Sequence, residues 1–202
     1  MSISRNYQQL QISNISPMDM NFLLYIENIY ECHFGRKEIF PGRYLILDQQ
    51  ELLEPESFIV ALKACWNTIV KEYEQQQFMD NPLDTLHFRD DYASLFRNDS
   101  VFHTAERVWN AFTLWWWPDY GIKAYMEKFT DQYMPEVTEQ IYRGLYEKNI
   151  PIAKGNSLYI MLLFKQPIHI IPKSSNKLFF STIDRFLYEK EEIVSDIVNL
   201  LK

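Results

Sequence analysis

Glycine is scarce in this chain, with five in 202 residues. That disfavours glycine-loop nucleotide folds and turn-dense sandwiches, which depend on residues that tolerate positive φ. Cysteine is scarcer still. Cys32 and Cys65 are too few for a disulfide framework, and both sit among apolar neighbours, where a reduced thiol packs as a small hydrophobe. Positive charge is outweighed, 20 basic residues against 27 acidic, for a formal net charge of −7. A broad electrostatic hold on nucleic acid or on an anionic membrane is therefore not expected. The longest apolar run, Leu158 to Phe164, falls far short of the roughly 20 residues that span a bilayer. The opening residues, MSISRNYQQLQISNIS, lack the apolar core and small-residue cleavage site of a secretory signal. A cytoplasmic protein is the expectation. The sequence also has no phosphate loop, zinc-ligand array or nucleophile elbow.

What is present is apolar and aromatic, 47% and 16% of residues, which argues for a packed globule and against disorder. The stretch from Asn98 to Tyr120, NDSVFHTAERVWNAFTLWWWPDY, stands out. At 100° per residue, Val101, Phe102, Ala105, Val108, Trp109, Phe112, Trp115 and Trp116 share one face of a helix, the face expected in a core. A second, mixed stripe of His103, Arg107, Asn110, Leu114 and Trp117 runs along its back. Asn98, Asp99 and Ser100 are positioned to cap this helix, and Pro118 stops it.

Elsewhere the periodicity predicts more helix. Ser16 as N-cap, Pro17 at the first helical position and Asp19 in the capping box open a helix that carries Phe22, Leu23, Ile26, Ile29 and Tyr30 inward. A second helix spans roughly Pro55 to Gln77, and Leu83 to Phe96 fits a third. Tyr120 to Tyr133 reads as one helix and Pro135 to about Asn149 as the next, because proline suits a helix start. Tyr44 to Leu47 reads as a short strand, and residues 1–15 as a mobile arm or a first edge strand. Between Lys148 and Ile183 there are five lysines and no acid. There Ser157 to Phe164, Ile168 to Ile171 and Lys177 to Thr182 are short runs separated by turn residues, the first of which fits a strand or a buried helix equally, and a final helix follows. The expected fold is α+β and predominantly helical: a single domain, 1–202, of about six to seven helices. A small antiparallel sheet is expected near the C-terminus, in the locally basic part at 151–183.

Two constellations are candidates for function. The first is the back of the tryptophan-rich helix, where His103, Arg107, Asn110, Trp117, Asp119 and Tyr120 would form an interface or pocket, since tryptophan, tyrosine and arginine recur at binding hot spots. The second pairs His87 and Asp91 with His103 and Glu106. Each pair is one helical turn apart, and two such pairs on facing helices would offer imidazole and carboxylate ligands to a divalent metal. Three functions follow. A non-enzymatic cytoplasmic binding protein, of inhibitor, immunity or adaptor type, would meet a protein partner of basic character and need no cofactor. A metal-assisted hydrolase would use the His, Asp and Glu cluster. A small-molecule sensor would use a pocket walled by Trp117, Tyr120 and Arg107. Oligomeric state is not legible in these residues.

Overall fold

The computed structural model describes residues 10–35, 47–75, 89–97, 101–117, 119, 121–151 and 156–202. The expected strand at Tyr44 to Leu47, the start of the expected helix from Leu83, and the capping residues Asn98 to Ser100 lie wholly or mostly outside them. The chain forms two compact units: residues 17–122 with 167–171, and residues 1–16 with 123–166 and 172–202.

The helical unit is built around α1, Met18–His33, which packs against α2, Pro55–Gln75, and α3, Val101–Trp116. α1 is buried almost all the way round, as a central helix requires. Phe22 anchors an aromatic cluster, with its ring centroid 4.7 Å from Tyr92, 4.8 Å from Trp109 and 5.2 Å from Phe112. The start of α1 differs from expectation. Pro17 itself occupies the N-cap in an extended conformation, so Ser16 falls one position too early to reach the first-turn amides. The Ser16 hydroxyl is buried with no hydrogen-bond partner among the described residues. Asp19 is used differently too, accepting a 2.6 Å hydrogen bond from the Tyr92 hydroxyl. Two short 3-10 turns, Gln49–Glu51 and Asp90–Leu95, complete this unit, and the isolated bridge between Leu52 and Phe96 ties their ends together.

The second unit contains the sheet, and the sheet is parallel. Strands β1, Gln11–Ile15, β2, Ser157–Leu163, and β3, Leu178–Thr182, lie in the order β1-β2-β3, with Gln11 opposite Ser157 and Tyr159 opposite Leu178. This corrects the antiparallel expectation. Tight hairpins make antiparallel pairs, whereas residues 164–177 are long enough for the return path that parallel strands need. The burial agrees: β3 is buried along its whole length and β2 along most of it, without the alternation of a half-wet sheet. Ile168 to Ile171 is not a strand. It belongs with the helical unit, where the amides of Ile168 and His169 donate to Glu27 Oε1 at 3.0 and 2.9 Å.

α4, Ile122–Glu147, is one helix that runs through Pro135, where two had been expected. Its buried residues Met126, Thr130, Met134, Val137, Ile141 and Leu145 keep a single stripe across the proline, and Pro135 is on the exposed side. The stripe's burial outweighs the one lost backbone bond. Asn149, at φ 51°, ends the helix, and the Ile150 amide returns to the Leu145 carbonyl at 3.0 Å. The final helix is divided at Glu189 into α5, Ile183–Tyr188, and α6, Lys190–Leu200.

Candidate functional site

The inward face of α3 is as the periodicity predicted. Ala105, Val108, Trp109, Phe112 and Trp116 are buried, and the half-buried Trp115 stacks on Tyr25 with centroids 6.0 Å apart. The outward stripe divides into two parts. His103, Glu106, Asn110 and Leu114 are exposed, Leu114 by 78%. Arg107 is held, its Nη1 donating to Glu51 Oε1 at 3.1 Å.

Glu51 is a hub that the helical periodicity does not reveal. Its Oε1 also accepts the Thr104 hydroxyl at 2.8 Å, and its Oε2 accepts the Asp48 amide at 3.0 Å. Its backbone carbonyl takes the Arg97 amide at 2.9 Å. Burial pushes the Glu51 carboxyl pKa up, but the Asp48 amide, Thr104 and Arg107 together bring it below the ordinary glutamate value. One signal could have found it: Asp48 and Glu51 stand three apart, the spacing of a capping box.

Asp91 belongs to a different network. Arg89 forms a fork on Glu72, with Nη1 to Oε2 at 2.6 Å and Nη2 to Oε1 at 2.9 Å, and reaches Asp91 through Nε at 3.1 Å. The bond to Glu72, with Asp91 adding to it, raises the guanidinium pKa. Beside this pair, burial raises the carboxyl of Asp19 despite its bond to Tyr92, and burial also raises the Cys65 thiol. A thiol raised in this way is a packing group and a poor nucleophile.

Trp117 is half-buried and Asp119 exposed. Tyr120 and His87 lie outside the described residues. Thus α3 presents His103, Glu106, Arg107 and Asn110 on one helix face, while Asp91 is engaged with Arg89. Among the described residues no group of three or more His, Cys, Asp or Glu side chains is close enough to hold a metal. Nor is any helix among them long and apolar enough to cross a membrane.

A further polar cluster lies on α1. Glu27 and Glu31 are one turn apart and buried, and Glu31 Oε1 meets His169 Nε2 at 2.6 Å. Together with the two amides on Glu27, these bonds seat the 167–171 segment on the helical unit. Comparison with protein-family models, with curated proteins and with solved structures finds no match to this chain.

Proposed function

We propose that the chain is a non-enzymatic cytoplasmic protein that works by binding another protein through the outward stripe of α3. Leu114 carries the reading. A leucine at 78% exposure gains nothing from folding. Here it stands four residues from exposed Asn110 and eight from exposed Glu106, on a helix whose other face is locked in the core. Exposed single apolar residues are common, so the support comes from this combination of a rigid helix, an apolar centre and a polar surround, which is the layout of an interface anchor. The net charge of −7 favours a partner that offers basic side chains around an apolar pocket.

The test compares capture by the intact protein with capture by Leu114→Asp from cytosolic extract. A stoichiometric partner is expected for the parent protein, held less tightly at higher salt. It should bind the variant about thirtyfold less, the size of effect for a central anchor. The variant's urea midpoint should stay unchanged, because the position contributes little to the fold. Equal capture by both proteins, or no stoichiometric partner, would reject the reading.

A further inference from the structure

The sheet unit contains a cavity of about 490 Å³ beside Leu163 and Thr182, the last residues of β2 and β3. Parallel sheets place ligands outside the carboxyl ends of their strands, and this volume suits a small molecule. All the lining residues belong to this one unit. Leu163, Pro172 and Leu200 supply an apolar wall, and Ser174, Thr182, Arg185 and Asp196 a polar one.

The polar wall has capacity left over. Arg185 donates through Nε to Glu189 Oε2 at 3.1 Å and through Nη2 to Asp196 Oδ2 at 2.8 Å. Among the described residues its Nη1 meets no acceptor and Asp196 Oδ1 meets no donor. The hydroxyl oxygens of Ser174 and Thr182 accept the Phe180 and Arg185 amides at 3.1 and 3.4 Å, which leaves their own protons available. The site therefore offers unused N–H and O–H donors next to an unused carboxylate oxygen. Arg185 stands between two carboxylates, and Lys148 Nζ lies 3.4 Å from Oδ1 of the lining Asn199, so the charges around the site balance and it has no net positive charge with which to hold a polyanion. A ligand that brings both signs itself, with an apolar remainder, fits every one of these features.

We propose that this cavity binds a free α-amino acid with an apolar side chain: Arg185, Ser174 and Thr182 receive its carboxylate, Asp196 its ammonium, and Leu163, Pro172 and Leu200 its side chain. The proposal is independent of the α3 stripe and stands or falls separately from it.

Calorimetric titration of the intact protein with leucine, with its deamino carboxylic acid, with its decarboxylated amine and with inorganic phosphate decides the matter. Leucine should bind. Each half-molecule should bind about tenfold more weakly, as should leucine to Arg185→Lys and to Asp196→Asn, since each loses a charge-assisted bond. Asn199→Trp, at an exposed lining position on α6, should abolish binding by filling the cavity, and it keeps the test decisive if Arg185→Lys fails to fold. Absence of heat with every apolar amino acid at millimolar concentration would overturn the proposal. So would equal binding of the deamino acid or phosphate, or unchanged binding to Asp196→Asn and Asn199→Trp.

Discussion

A single oxygen on Tyr30 satisfies two backbone groups, donating to the Leu95 carbonyl at 2.6 Å and accepting from the Leu53 amide at 2.9 Å, while its ring stacks on Phe58. Tyr30→Phe keeps the stacking and leaves both backbone groups unmatched. It should cost about 2 to 6 kcal/mol, because each of the two buried polar groups left alone costs roughly 1 to 3. Urea denaturation measures this, and a loss below half a kilocalorie would mean that water replaces the hydroxyl. Glu51 makes a prediction in pH. Its folded pKa lies below the ordinary value of 4.5, so the folded state holds fewer protons than the unfolded state in the window between the two. Its contribution is therefore fully present above about pH 5 and is lost as pH falls through the folded pKa. Glu51→Gln should lower stability at neutral pH by about 1 kcal/mol, a modest figure because Arg107 is partly wetted. The difference between variant and parent should shrink as acid is added. A gap that stays constant down to pH 3 would show that Glu51 acts by packing alone.

Two helix positions argue at the scale of whole elements. Gly144 lies inside α4 facing α6, and a Cβ built there would come 2.9 Å from Val198 Cγ2. Helix propensity alone predicts that Gly144→Ala stabilises by about 1 kcal/mol. The contact with a stiff, buried valine predicts the reverse, a loss of about 1 to 2 kcal/mol, and we expect packing to win. Adding Val198→Ala should restore part of the loss, so a double-mutant cycle with no coupling would rule this out. Pro135→Ala, on the exposed side of α4, should stabilise by about 1 to 3 kcal/mol by returning the missing backbone bond, read as a rise in Tm. The same two positions show what was legible beforehand. Helical faces were, because a period of 3.6 marks buried residues directly, as at Phe22, Ile26, Trp109 and Phe112. Strand direction was not, because Leu158–Phe164 and Lys177–Thr182 show no more than that each run is buried. One partner of β2 is QISNI at the far end of the chain, which could be read as an edge strand or a mobile arm, and whose polar residues do not say which strand it would join. Pro135 misled because proline's local preference for a helix start is set against a tertiary stripe that only the folded unit displays. At the candidate site, the α3 stripe was visible as spacing, but Glu51, which holds Arg107, is more than fifty residues away from it in sequence.

For the molecule as a whole, the two units differ in how their residues are drawn from the chain. The helical unit is continuous from residue 17 to 122 and adds only 167–171, whereas the sheet unit joins three separate stretches. Within it the Tyr142 hydroxyl donates to the Leu10 carbonyl across 132 residues, and Asn14 donates to Thr130 across 116. Closing loops this long adds little to the equilibrium cost, since each doubling of loop length is worth only about 0.6 kcal/mol. The effect on rate is larger, because that entropy must be lost before any distant contact forms in return. The sheet should therefore order after the helices. In pulsed hydrogen exchange during refolding, the amides of Asn21 and Phe58, bonded within the helical unit, should gain protection first. Those of Gln11 and Tyr159, bonded to Asn156 and Lys177, should follow in a slower phase. The amides of Ile168 and His169 should join the slow phase despite belonging to the helical unit, because 167–171 reaches Glu27 only from the distant end of the chain. Protection of Gln11 and Tyr159 before Asn21 would place the sheet first and refute this order. Simultaneous protection of all six amides would show instead that neither unit orders without the other.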